Sequence, residues 1–150
     1  MDGNGRWASK RFLPRIAGHK QGVEALKRIV RACAQRKIAV LTVFAFSSEN
    51  WSRPADEVSG LMELLAMALA KEVSQLKRDG VQLHFVGARD TLSDRVKNGF
   101  ENAEASTADN TTLVLNVCFN YGGRWDVVQA AQRLAQAGLP ITEDSVSGVM

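Results

Sequence analysis

Ile38-Ala39-Val40-Leu41-Thr42-Val43-Phe44-Ala45-Phe46 carries one polar side chain in nine and is rich in β-branched and aromatic residues. Both alternating faces are apolar, the pattern of a central strand in a parallel sheet covered on each side. Upstream, Val23, Leu26, Ile29, Val30 and Cys33 recur at helical spacing and predict an amphipathic helix over Gly18 to Lys37 with a basic outer face. Downstream, the polar loop SSENWSR leads to Pro54, a residue tolerated at the start of a helix. An apolar series from Val58 to Leu76 then carries a long helix to Gly80. A second strand is expected over 81–87 and a helix marked by Leu92, Val96, Phe100 and Ala103. A third strand over 112–119 and a helix from Trp125 to Ala137 follow. Helices alternating with strands through short connections imply an α/β fold, a mostly parallel central sheet flanked by helices with right-handed crossovers. Residues 1–150 read as a single domain, and Thr142 onward begins one more capped helix.

The composition, 45% apolar and 23% charged with 12 Gly and 3 Pro, is that of an ordinary globular domain and excludes disordered and collagen-like classes. Cys33 and Cys118 fall within apolar patterns and read as small core residues of a reducing compartment, which with the lack of an apolar leader or span predicts a cytoplasmic protein. The net charge of +3 is unevenly spread. Residues 1–37 carry a net +8 and the remainder a net −5. The front of the chain therefore wants an anion, whether phosphate ester, nucleic acid or membrane surface. Lys27, Arg28, Arg31, Arg36 and Lys37 read equally well as one solvated helix face.

In open α/β sheets ligands lie beyond the carboxyl ends of the strands, and the unusual residues collect in the loops there: Ser47-Ser48-Glu49-Asn50-Trp51-Ser52-Arg53 and Asn120-Tyr121-Gly122-Gly123-Arg124-Trp125, with Asp2-Gly3-Asn4-Gly5-Arg6-Trp7 opening the chain. Each tryptophan has an arginine beside it or two residues away. Trp125 reads as packing, whereas Trp7 and Trp51, set among Gly, Asn, Ser and Arg, suit a flat apolar wall beside anion donors. Gly3-Asn4-Gly5 allows several N–H groups to aim at one phosphate, although Asn-Gly is also an ordinary turn. Arg6, Arg15 and His19 add cations that match phosphate oxygens. His19 reads as a ligand contact or as a surface cap, with Gly18 keeping the helix terminus open. Ser47 to Asn50 read by themselves as a turn and a cap. Asp2 is a candidate single protein ligand for Mg²⁺, which shares substrate oxygens and keeps its waters. No Walker A, DDxxD, zinc-spacing or GxSxG motif occurs.

Together MDGNGRWA (1–8), Arg15 with Gly18-His19-Lys20, FSSENWSRPADEV (46–58) and NYGGRWD (120–126) closely resemble the cis-prenyltransferases, in order and at the family's spacing through essentially the whole chain. The resemblance implies a Mg²⁺-dependent enzyme that condenses isopentenyl diphosphate with an allylic diphosphate such as farnesyl diphosphate. Repeated with Z geometry, this makes a long-chain polyprenyl (undecaprenyl) diphosphate, the carrier lipid for cell-wall glycans. It implies a homodimer with peripheral membrane contact at most. It assigns Asp2 to Mg²⁺ and to diphosphate departure, and Asn50 to proton acceptance. Gly3, Asn4, Gly5, Arg6, Arg15 and His19 would hold the allylic diphosphate, and Ser47, Ser48, Glu49, Trp51 and Arg53 would place the substrates. Trp7 joins the substrate-binding set through its place in the first motif. The helix after Pro54, with small residues Ala66, Ala68 and Ala70, would line a hydrophobic tunnel against Ala45 and Phe46.

Relative to the family pattern, a first strand before Asp2 and a C-terminal segment with an RxxxExRxSxF-type stretch are expected but not found. The expectation is therefore of a truncated chain with the allylic half-site encoded and the isopentenyl half-site, second metal ligand and dimer interface incomplete. Two other readings are a non-catalytic partner subunit, against which Asp2, Asn50 and Arg53 argue, and a basic nucleic-acid-binding module, for which no binding motif accompanies the charge.

Overall fold

The computed structural model describes residues 3–150, the side chains of Leu69 and Ala70 excepted. Among these residues the elements run α1 Asn4–Ser9, α2 Arg15–Gln35, β1 Val40–Ser47, a 3-10 turn Ser48–Ser52, α3 Ala55–Arg78, β2 Val81–Val86, α4 Asp94–Thr107, β3 Leu113–Tyr121, α5 Gly123–Gln136 and α6 Glu143–Val149. Their order follows the apolar periodicity closely. Pro54 serves as the cap before α3, with acidic Asp56 and Glu57 in the first turn and basic Lys77 and Arg78 in the last, both favourable to the helix dipole. Thr142 caps α6 through a reciprocal pair with Ser145. The one helix that periodicity does not announce is α1, which occupies the Gly-rich opening segment.

The sheet is parallel throughout, in the order β1-β3-β2. Among the described residues the central strand is β3, whereas the 38–46 run, expected to be central, pairs on one side only, with Val40, Thr42 and Phe44 exposed on one face. Periodicity reports how apolar a strand is but not which neighbours pair with it, and β3 is buried on both faces from Val117 to Asn120. On the covered face Val30 of α2, Val58 of α3 and Phe100 of α4 join Leu83, Phe85, Leu115, Val117 and Phe119 in one core. Rings continue through that core. Phe85 stacks on Phe100 at 3.9 Å, Phe100 meets Phe119 edge-on at 5.5 Å, and Phe119 stacks on Phe46 at 5.2 Å. The outer edge of β2 is occupied by α4, where Thr107 Oγ1 accepts from Leu83 N–H at 3.0 Å and Glu104 Oε1 accepts from Phe85 N–H at 2.7 Å. An edge whose N–H groups are taken up in this way is a poor template for a foreign strand. On the opposite face Tyr121 meets Phe44 and Trp125 edge-on and donates to Asp126 Oδ2 at 2.9 Å, which fixes where α5 departs.

Candidate active site

Where β1 ends, its pairing with β3 becomes irregular at Phe44/Phe46 and again at Phe46/Ser47. Such an irregularity re-aims side chains beside a site. Ser47 then starts the 3-10 turn with a reciprocal cap: its Oγ accepts from Glu49 N–H at 3.1 Å, and Asn50 Oδ1 accepts from Ser47 N–H at 3.0 Å. Ser52 Oγ closes the turn on Glu49 O at 2.7 Å. Trp51 packs edge-on against Phe46 at 5.2 Å and donates from Nε1 to Asn120 Oδ1 at 2.8 Å. Asn120 is itself buried at φ +52°, a left-handed backbone that Asn tolerates, and donates from Nδ2 to Ala88 O and Thr91 Oγ1. It therefore ties the ends of β1, β2 and β3 together. Gly122, two residues on, leaves room for Ser48, whose hydroxyl a Cβ there would meet.

The opening segment is held by two glycines of α2. A Cβ on Gly18 would run into the backbone carbonyl of Asn4, and one on Gly22 into the Asn4 side chain. Four residues apart, they make a smooth stripe on one helix face. The start of α1 rests on it. Gly3 caps α1 at φ +82°, a conformation glycine adopts without strain. Trp7 is half-buried, with the Arg11 guanidinium over its ring at 4.3 Å.

These pieces surround a cavity of about 620 Å³ bounded by α1, α2, α3 and the covered face of the sheet. Gly3, Asn4, Gly5, Arg6, Arg15, His19, Asn50 and Arg53 all line one end. The rest is hydrocarbon: Val23, Leu26 and Val30 of α2, Leu61, Leu65 and Ala68 of α3, and Phe46, Leu83 and Val117 of the sheet among others. The Ala70 side chain expected in this wall lies outside the described residues. Ser47, Ser48, Glu49 and Trp51 shape the turn that presents Asn50, and with Trp7 they do not line the cavity itself.

At the polar end the cations converge on Glu57, which sequence reading missed. Arg15 Nη1 lies 3.0 Å from its Oε2, Arg53 Nη1 3.1 Å from its Oε1, and His19 Nε2 3.6 Å from Oε1. The Glu57 side chain is 10% exposed, whereas the two arginines are open to water. Its only sequence signal is a carboxylate four residues after Arg53 in the first turn of a helix. His19 Nε2 is buried without a hydrogen-bond partner. Burial holds the His19 pKa below its ordinary value of 6.5; Glu57 pulls it upward, and Arg53 and Arg15 add to the lowering. A neutral imidazole with an unsatisfied nitrogen is costly in the protein alone and is relieved by a polar ligand at that spot. Glu57 holds in place the groups an anionic ligand would use.

Asp2, the residue expected to bind Mg²⁺, lies outside the described residues. Among those described, no group of three or more His, Cys, Asp or Glu could hold a metal ion, and Glu57 is committed to cations. The described residues at the mouth are amide and cationic donors, a chemistry suited to an anion, and the carboxylate expected to meet Mg²⁺ is not among them. Likewise no helix among them is long and apolar enough to cross a membrane.

A mouth lined by Arg6, Arg15, His19 and Arg53 thus opens into a hydrocarbon-lined cavity on a parallel sheet. The chain belongs to the prenyltransferase family described as "Putative undecaprenyl diphosphate synthase", which matches it over residues 1–150. It is 54% identical over 136 residues to the farnesyl-diphosphate-specific ditrans,polycis-undecaprenyl-diphosphate synthase of Pseudomonas aeruginosa, across 91% of this chain and 54% of that protein. It is 52% identical over 148 residues to the isoprenyl transferase of Neisseria gonorrhoeae, across 98% of this chain and 60% of that protein. The fold superposes on lavandulyl diphosphate synthase of Lavandula x intermedia, solved with dimethylallyl diphosphate, at a TM-score of 0.92 and 28% identity, covering 100% of this chain and 67% of the other. The chain thus spans little more than half the length of the curated relatives it matches.

Proposed function

We propose that this chain carries the allylic half of a site for Z-type prenyl elongation, in which isopentenyl diphosphate is condensed with farnesyl diphosphate or a similar allylic diphosphate toward undecaprenyl diphosphate. The observation that carries the reading is the junction of Arg15, His19, Asn50 and Arg53 with an apolar cavity, a charged head next to a hydrocarbon tail. In each cycle the allylic C1–O bond breaks, C1 bonds to C4 of isopentenyl diphosphate, and a proton leaves C2. Negative charge gathers on the departing diphosphate, where the N–H groups of Gly3 to Gly5 and the guanidinium groups of Arg6, Arg15 and Arg53 are most useful. Asn50, braced by Ser47 N–H, is the group proposed to take the proton. Ser47, Ser48, Glu49 and Trp51 set its position, and Trp7, capped by the Arg11 guanidinium, is a half-buried residue of α1 beside the diphosphate donors. Mg²⁺ dependence rests on Asp2, and no step is routed through it. The family match and the placement of Asn50 and Arg53 favour elongation over a non-catalytic subunit or a nucleic-acid binder. A cytoplasmic homodimer is proposed on the same resemblance.

The test is incorporation of labelled isopentenyl diphosphate into organic-extractable lipid with farnesyl diphosphate, with and without Mg²⁺. Retention of farnesyl thiodiphosphate without incorporation supports an allylic half-site alone, whereas incorporation that requires Mg²⁺ and is lost in Asp2→Ala would show that the 150 residues hold the isopentenyl half as well. Failure of the folded chain to retain even a non-hydrolysable farnesyl thiodiphosphate would overturn it.

A further inference from the structure

The C-terminus of α1 closes with Leu13 N–H donating to Ala8 O and Phe12 N–H donating to Ser9 O, each at 3.1 Å. This is the bond pair of a Schellman cap, whose left-handed residue is usually glycine. Here that residue is Phe12, at φ +55°. Phe12 is 99% exposed, and Leu13 beside it is 44% exposed. Backbone strain and an aromatic ring held in water thus fall on one residue, with no packing among the described residues to offset them. Exposed Lys10 and Arg11 precede it directly, in a segment whose net charge over residues 1–37 is +8. Arg11 is anchored by its Nη1 on Trp7 O at 3.2 Å and by its stacking on the Trp7 ring.

We propose that this turn is a membrane-docking tip that seats Phe12 and Leu13 in the interface of an anionic lipid bilayer while the neighbouring cations meet the headgroups. Aromatic rings favour that interface, and each nearby cation adds attraction to an anionic leaflet. A tip two side chains wide is too small for a specific protein interface. Lys10 and Arg15, on either side of Phe12 in sequence, also line the cavity mouth, so docking brings that mouth to the bilayer. The inference goes beyond the elongation reading and does not depend on it.

The test is co-sedimentation with vesicles of one part phosphatidylglycerol to two of phosphatidylcholine, against pure phosphatidylcholine, at about 0.1 M salt. Phe12→Gly suits the left-handed backbone, so its melting temperature should equal or exceed that of the unsubstituted chain. It is expected to bind anionic vesicles at least tenfold more weakly, whereas Phe12→Trp retains binding, and binding falls as salt rises. Equal binding by the unsubstituted chain and Phe12→Gly overturns the proposal. So does absence of vesicle binding, or a Phe12→Gly effect confined to self-association, which would make the tip a protein contact.

Discussion

Glu57 gives the polar end of the cavity its order, because a carboxylate facing Arg15, Arg53 and His19 keeps three like-charged or chargeable groups together before any ligand arrives. An incoming diphosphate offers more acceptor oxygens than one carboxylate, so the arginines can turn to it. Arg53→Ala is therefore expected to weaken binding of inorganic diphosphate by tenfold or more in calorimetry, since a charge-assisted hydrogen bond contributes about 1.5–3 kcal/mol. Stability measured by urea titration should change by no more than about 1 kcal/mol, because the guanidinium is already open to water. His19 supplies the pH signature. Its folded pKa is depressed, so the unfolded chain takes up the proton first as pH falls through about 6.5. Stability is full above that value and declines below it until the folded pKa is passed. A bound diphosphate reverses the balance by adding negative charge beside the ring. Near pH 6.5 the His19 ring is expected to take up a proton as diphosphate binds, read as the difference in buffer-dependent heat between the unsubstituted chain and His19→Gln, since the diphosphate's own ionisation contributes equally to both. Arg15 and His19 were readable as candidate anion contacts from their types and Arg53 through the resemblance, and the structure brings all three to one end of the cavity. Glu57 was not, since nothing local says that an acidic residue in a helix's first turn will face cations from another helix.

The joint between α1 and α2 shows the same limit one level up. The opening segment reads as a loop because Gly3-Asn4-Gly5 disfavours helix and the stretch is too short for a period to show. It becomes α1 because Gly18 and Gly22 let Asn4 lie directly against α2, a contact specified by residues more than a dozen positions away. Alanine in a helix is normally better than glycine by about 1 kcal/mol, so the sign of a substitution reads this contact. Gly18→Ala is expected to destabilise by about 1–3 kcal/mol, since its Cβ meets a backbone carbonyl that cannot step aside. Gly22→Ala should cost less stability, because the Asn4 side chain can move, yet should weaken diphosphate binding by displacing it. Gly148→Ala in α6, whose Cβ meets nothing, should be neutral or stabilising. Denaturant titration of the three variants checks the order. The longer helices and the strands were readable from periodicity alone, whereas the one-sided pairing of β1 among the described residues depended on partners that periodicity does not encode.

Across the whole molecule, the cavity follows α3 from Glu57 to Asp79, about 33 Å at 1.5 Å per residue. Extended chain advances about 1.2 Å per backbone bond, so a four-bond isoprene unit occupies about 5 Å and the cavity takes about six units in line. Eleven units, the length in the names of the relatives, would have to bend or leave the described walls. The wall facing that path is apolar until Lys27 and Glu72, joined at 3.1 Å between α2 and α3, enter the lining. Ala68 lines the path about 17 Å along α3 from Glu57, after three or four units. Its small side chain leaves that width open. Ala68→Phe is expected to block further growth there, so products resolved by reversed-phase chromatography should stop near four units. The head site is untouched, so the Kd for farnesyl thiodiphosphate should stay within about threefold, less than the 1 kcal/mol expected of one lost contact. Overpacking a loosely filled cavity costs little, and a melting temperature within a few degrees of the unsubstituted chain would show that the fold has accepted the ring. Products of unchanged length from such a folded variant would mean that the growing chain does not run between α2 and α3, and that the hydrocarbon lining there is a core that no ligand enters.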